Sequence, residues 1–184
     1  MSIYKEAFRG LGSLCILAIS LQAQPALTGI QQPNLGRALT PEEIQKIDIA
    51  IATDGAGLPP GSGSVNAGAE VYARKCQVCH GADGSGKPQD RLTGGIGTLA
   101  SATPLKTPNS YWPVATTLFD YIRRAMPRPN PQSLTNNEVY AITAYLLSID
   151  GIVAKDAILG AKSLPQVKMP NRDGFVSYWP TPKK

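Results

Sequence analysis

Cys76-Gln77-Val78-Cys79-His80 decides the reading of this 184-residue chain, and His80 is its only histidine. Two thiols three positions apart lie within about one helical turn, so both can reach one edge of a planar ligand. The imidazole next in sequence then lies beneath the ligand's centre. Two thiols that form thioethers with vinyl groups, beside a nitrogen that ligates iron, describe covalent haem attachment. The rival readings of Cys-x-x-Cys fail on supply and setting. A structural zinc site wants four Cys or His ligands. The chain holds three cysteines and one histidine, and Cys15 lies far upstream in an apolar run. A thioredoxin-like pair wants a preceding strand, whereas residues 68–75 read as helix. A disulfide across two residues of a helix is sterically awkward.

Residues 1–23 read as a secretory signal. Lys5 and Arg9 supply positive charge, diluted by Glu6, residues 11–21 supply the apolar stretch, and Ala23 is a plausible cleavage end. The run is short for a membrane span, and an uncleaved anchor is the alternative. Export to the periplasm suits covalent haem attachment, which in bacteria takes place outside the cytoplasmic membrane. Cleavage removes Cys15 and leaves only the two haem cysteines. The formal charge of +5, less two cations and one anion of that segment, becomes about +4. No basic stripe interleaved with aromatics points to nucleic acid, while a modest positive rim suits an acidic redox partner.

Residues 24–65 form a Gly- and Pro-rich extension with one short helix. Thr40-Pro41-Glu42-Glu43 is a capping box with proline at the first helical position, and the helix runs to Ile47. The haem domain spans 66–150. Asn66 is expected to cap a helix through Lys75, with Gly68, Val71, Tyr72 and Cys76 on one face. Residues 81–112 read as one long loop with six glycines among its first seventeen positions. A haem edge would order such a loop, and glycine would let its backbone pass close to the porphyrin. The stretch Gly81-Ala82-Asp83-Gly84-Ser85-Gly86-Lys87 imitates a phosphate-binding loop, but Pro88 stands where a Ser or Thr must hold the metal. Pro113 is expected to open a helix through Ala125, followed by a proline-rich hinge at residues 126–131. Thr135-Asn136-Asn137-Glu138 caps a helix striped by Val139, Ile142, Tyr145, Leu146 and Ile149, which Gly151 stops. Residues 151–184 form a basic tail whose Phe175, Tyr178 and Trp179 suggest packing.

A second histidine ligand does not exist, which leaves methionine, lysine, water or an open site on the iron. Beyond Met1 the methionines are Met126 and Met169, each followed by proline. Met126 lies in the hinge, where irregular backbone can carry its sulfur over the haem. Met169 is the second choice, with core filler the ordinary use of any methionine.

The helix with Gly68 and Tyr72, the CxxCH motif, the glycine-rich loop, Met126-Pro127 and the Tyr-bearing last helix together resemble a class I cytochrome c over residues 66–150. The tighter likeness is to the cytochrome subunits of sulfite dehydrogenase-type molybdenum enzymes, including SoxD-type subunits of bacterial sulfur oxidation. It is carried by Leu35-Gly36-Arg37, Gly57-Leu58-Pro59, Ser110-Tyr111-Trp112-Pro113, Asp120-Tyr121-Ile122-Arg123-Arg124-Ala125-Met126-Pro127, Asn137-Glu138-Val139-Tyr140-Ala141, and Met169-Pro170-Asn171 before Gly174-Phe175. SoxD-type subunits typically carry a second haem domain, whereas this chain has a single CxxCH, so it resembles a single-haem relative.

The resemblance implies an all-α fold of three to five helices around one covalent haem c, with irregular extensions at both ends. It places Gly68 in close approach to the Tyr145 region, and sets Tyr111 and Trp112 beside the haem and its propionates. The Trp112 indole or Arg123 would donate to a propionate, with ordinary packing the alternative for Trp112. Arg123 and Arg124 are adjacent on a helix and cannot both face the haem. With His80 and Met126 on the iron, the protein carries single electrons and is not itself an enzyme. The likeness implies a molybdenum-cofactor dehydrogenase as donor, with another cytochrome or an oxidase as acceptor. The alternative is a haem enzyme with an open or labile sixth site, acting on peroxide or a sulfur compound. Its usual distal histidine is missing.

Overall fold

Thr40 starts the first helix as the Thr-Pro-Glu-Glu sequence directs. Its hydroxyl accepts from the Glu43 N–H at 3.3 Å, and the Glu43 carboxylate accepts from the Thr40 N–H at 2.9 Å. That closed box opens α1 (Pro41–Ile47). The computed structural model describes residues 35–176 and Trp179, so the signal assigned to 1–23, and Tyr178, lie outside the described residues. Residues 35–39 belong to a unit separate from the body that begins at Thr40.

Among the described residues the body holds six helices, a two-stranded sheet and one 3-10 turn. Strand β1 (Ser62–Ser64) leads directly into α2 (Val65–Lys75). Ser64, not Asn66, caps this helix, accepting from the Ala67 N–H at 3.2 Å. The strand already holds Ser64 in the extended conformation a cap requires. Next comes the single turn α3 (Gln77–His80), ended by Gly81 at φ +79°.

The loop beyond is not structureless. Thr107-Pro108-Asn109-Ser110 forms a capping box of its own and opens α4 (Pro108–Tyr111). Trp112 closes that turn, so the chain changes direction through Pro113, and α5 (Ala115–Ala125) begins two residues later than the proline predicted. The Thr135 box opens α6 (Asn136–Ile149), and Gly151 at φ +69° follows its end as predicted.

Helix α6 is the centre of the molecule. Val139, Ile142 and Leu146 are buried as the stripe predicts, but so are Tyr140, Ala141, Ala144 and Leu147, because neighbours cover several sides. Helix α2 crosses it where Gly68 lets the backbones meet: a Cβ there would collide with the Ala141 carbonyl and sit 2.7 Å from the Tyr145 Cβ. From α5, Phe119 packs on Tyr140 with ring centroids 4.4 Å apart. Burying a side chain such as Phe119 contributes about 1.5–3 kcal/mol.

The flanking segments interlock with this core. Strand β1 pairs antiparallel with β2 (Ile158–Gly160), Gly63 opposite Leu159. After β2 the 3-10 turn Leu164–Gln166 follows, and Leu159, Leu164, Val167 and Met169 join the buried core. No described helix is long and apolar enough to cross a membrane.

Candidate haem-binding site

The motif sits where α2 hands over to α3. Cys76 ends α2 with its N–H on the Tyr72 carbonyl at 2.8 Å, and the Cys79 and His80 N–H groups both return to the Cys76 carbonyl, at 3.1 and 3.0 Å. One helical turn thus carries both sulfurs and the imidazole. Both cysteines are free thiols and both are partly accessible. Burial pushes the Cys76 thiol up to about 11, so it is neutral at ordinary pH. Among the described residues no group of three or more His, Cys, Asp or Glu side chains could hold a metal ion directly.

His80 is oriented by backbone. Its Nδ1 lies 2.8 Å from the Asp90 carbonyl oxygen, which only accepts, so Nδ1 carries the proton and donates. The Nε2 lone pair is thereby left for a metal, with the ring held against rotation. Sequence reasoning missed Asp90 because every residue offers a carbonyl and its use leaves no signal in residue type.

The turn after His80 is clamped by two tyrosines. Tyr72 is buried and its hydroxyl donates to the Gly81 carbonyl at 3.0 Å, while Tyr145 donates to the Ala82 carbonyl at 3.4 Å. Their rings meet at 5.2 Å. Burial, above all, raises the Tyr72 phenol, which stays protonated to donate. The six loop glycines predicted to make room for porphyrin all take positive φ. Turn conformation therefore accounts for them first.

Met126 is the C-cap of α5, partly buried and packed against the core together with Cys76, Leu92 and Trp112. Met169, the second choice for a ligand, is 3% exposed within the core itself. Trp112 packs edge-on to Tyr121 at 5.7 Å. Tyr111 lines a cleft of about 370 Å³ with Leu99, Lys106 and the tail segment around Phe175. Neither arginine is idle: Arg123 donates to the Ile49 carbonyl at 3.3 Å, and Arg124 forks onto the Asp120 carboxylate.

These residues fit a covalent haem. Two free thiols stand on one turn, an imidazole has its outer nitrogen free, and a partly buried thioether packs against the core, as do apolar Leu92 and Trp112.

Comparison with known proteins agrees. The cytochrome c family profile matches residues 65–150. A chain of the sulfane dehydrogenase SoxCD from Paracoccus pantotrophus superposes with TM-score 0.73 and 43% identity, covering 77% of this chain and 70% of that one. Among curated proteins no sequence matches significantly. The chain belongs to the class I c-type cytochromes, a family whose function is electron transfer. Within them it is related to the cytochrome subunits of the SoxD and sulfite dehydrogenase group.

Proposed function

We propose that this protein is a periplasmic single-haem electron carrier, in which Cys76 and Cys79 hold haem c and His80 and Met126 ligate its iron. The observation that carries the reading is His80 itself, the chain's one histidine, hydrogen-bonded at Nδ1 and open at Nε2. Bound haem would supply a one-electron ferric/ferrous couple. The residues do the rest. Cys76 and Cys79 fix the group to the end of α2, and Tyr72 and Tyr145 hold the turn beneath it. Met126 offers a thioether from the α5 cap, a neutral soft donor that favours the ferrous state. Leu92 and Trp112, which like Met126 pack against the core, would help keep water from the bound group. Met169, enclosed in the core, serves packing.

The proposed donor is a molybdenum-cofactor dehydrogenase of the sulfite or sulfane type, and the acceptor another cytochrome or an oxidase. Support comes from the 43% identity to a chain of the sulfane dehydrogenase SoxCD. Export rests on the basic and apolar pattern of residues 1–23.

Optical spectra of the oxidised and reduced holoprotein test the ligand set. The ferric protein should show the far-red charge-transfer band of thioether ligation, and Met126→Ala should abolish it. A high-spin ferric wild type that binds cyanide rapidly would refute His/Met ligation.

A further inference from the structure

The backbone strip from Asp90 to Gly94 is hydrogen-bonded at one end to the His80 imidazole and at the other to the end of α6. Asp150 caps α6, and its Oδ2 accepts from the Gly94 N–H at 2.7 Å and from Asn109 Nδ2 at 2.7 Å. Asn109 is fully buried, and its Nδ2 also donates to the Leu146 carbonyl at 2.8 Å. Both amide protons are therefore spent on the end of α6, and Asn109 Oδ1 is left buried without a partner. Turning the amide over would set its oxygen against the Leu146 carbonyl and the Asp150 carboxylate, so this orientation is the only tenable one. A buried acceptor without a donor is unfavourable.

Gly94 is held on its other side as well, since its carbonyl accepts from Thr107 Oγ1 at 2.8 Å. A few residues upstream, the Asp90 carbonyl accepts from His80 Nδ1. The strip between them is short and is hydrogen-bonded along its length. Leu92 N–H donates to the Gly84 carbonyl at 2.8 Å, and Thr93 Oγ1 to the Asp83 carbonyl at 2.8 Å. The turn after the haem motif thus holds the middle of the strip at Leu92 and Thr93, the Gln89 N–H holds the residue before Asp90 to the Cys79 carbonyl at 2.9 Å, and Asp150 with Asn109 holds the Gly94 end.

We propose that Asp150 and Asn109 are positioning residues for the His80 ligand: by holding Gly94 they place the Asp90 carbonyl and set the strength of the bond from Nδ1–H. The inference rests on His80 being the axial ligand of bound haem. A carbonyl that accepts firmly from Nδ1–H gives the imidazole more anionic character, makes Nε2 more basic and favours ferric iron. A slack bond favours ferrous iron. Simple loosening that lets water reach the haem acts in the opposite sense, because water stabilises the more charged ferric site. The sign of a potential change therefore separates positioning from general disruption.

The test uses holoprotein variants, with redox titration and NMR of the His80 Nδ1 proton. Asp150→Ala should shift the couple toward ferrous by up to about tenfold, which is about 59 mV for one electron. It should also speed exchange of the Nδ1 proton by about tenfold or more. Asp150→Asn keeps an acceptor oxygen in place and should restore most of both properties. Asn109→Ala should give a smaller shift of the same sign, and it decides the matter if Asp150→Ala does not fold. An unmoved potential and unmoved Nδ1 proton in a folded variant would overturn the proposal, as would a shift toward ferric. A wild-type ferric spectrum without a hyperfine-shifted His80 resonance would remove the ligand assignment and the inference with it. That resonance present but unmoved in Asp150→Ala would remove the clamp alone.

Discussion

Gly68 of α2 lies against Ala141 of α6 so closely that the Ala141 carbonyl occupies the space a Gly68 side chain would need. The contact is backbone on backbone, so neither partner can rotate away. Replacing Gly68 by Ala gains about 1 kcal/mol of helix propensity. Prising α2 and α6 apart costs about 1–3 kcal/mol or more. We expect Gly68→Ala to be destabilised in urea denaturation of the holoprotein despite its better propensity. A stabilised variant would show that the two helices can slide.

Met126 and Met169 should separate by readout. Met169→Ala empties a fully packed position and should cost about 2–5 kcal/mol while leaving the ferric charge-transfer band in place. Met126→Ala should remove the band at smaller cost to the polypeptide's own packing, since Met126 is only partly buried. A Met169→Ala spectrum without that band would exchange the two assignments.

The two methionines also mark the limit of what the chain discloses by itself. Haem attachment was legible because one pentapeptide holds two thiols and the sole histidine. The helices opened by Thr40 and Thr135 were legible because both carry the Glu that closes a capping box. The same Thr-Pro signal at Thr107 went unread because glycine dominates the segment before it and its box closes through Ser110. Strands β1 and β2 had no chance of being read. Ser62-Gly63-Ser64 lacks β-branched or alternating apolar residues, and its pairing with Ile158–Gly160 is a long-range contact. Burial of Met169 and use of the Asp90 carbonyl are likewise products of the tertiary fold, to which local patterns are blind.

Acid should weaken the fold through Glu138. Its carboxylate accepts from Lys75 Nζ at 2.8 Å and from the Thr135 N–H at 2.8 Å, and the Lys75 contact, above all, holds it below the usual carboxylate range. A depressed folded value means that the unfolded chain binds the proton more readily. The stabilisation is therefore complete above about pH 5 and is lost as pH falls through the folded value. Glu138→Gln keeps the capping geometry and loses the charge, at a cost of about 0.5–1 kcal/mol near neutrality. The gap between wild type and variant should shrink toward zero in urea melts at progressively lower pH. A constant gap would assign the effect to packing.

Tyr72→Phe removes one hydroxyl and keeps the tilted ring contact with Tyr145. The Gly81 carbonyl loses its 3.0 Å partner just after the histidine. The cost should be about 1 kcal/mol, a fall of roughly 2–4 °C in Tm for a chain of this size. Faster amide exchange confined to the turn after His80 would locate the loss. Unchanged exchange there would mean that Tyr145 alone holds the turn.

The tail is fastened to Tyr111 by Asn171 and Phe175, and removal of the Asn171 amide should be visible without any haem chemistry. Asn171 Nδ2 donates to the Tyr111 carbonyl at 2.7 Å, and Phe175 meets the Tyr111 ring edge-on at 5.3 Å. Before this point the chain is anchored by buried Met169, whereas Phe175 and Val176 are largely exposed. Local opening should therefore begin between Asn171 and the aromatic contact, where few apolar contacts resist it. We expect Asn171→Ala to be cut in limited proteolysis several-fold faster than wild type after residue 170, with Tm nearly unchanged. Equal cutting rates would show that the Phe175 contact alone retains the segment. A large fall in Tm would show that the tail is instead part of the cooperative core.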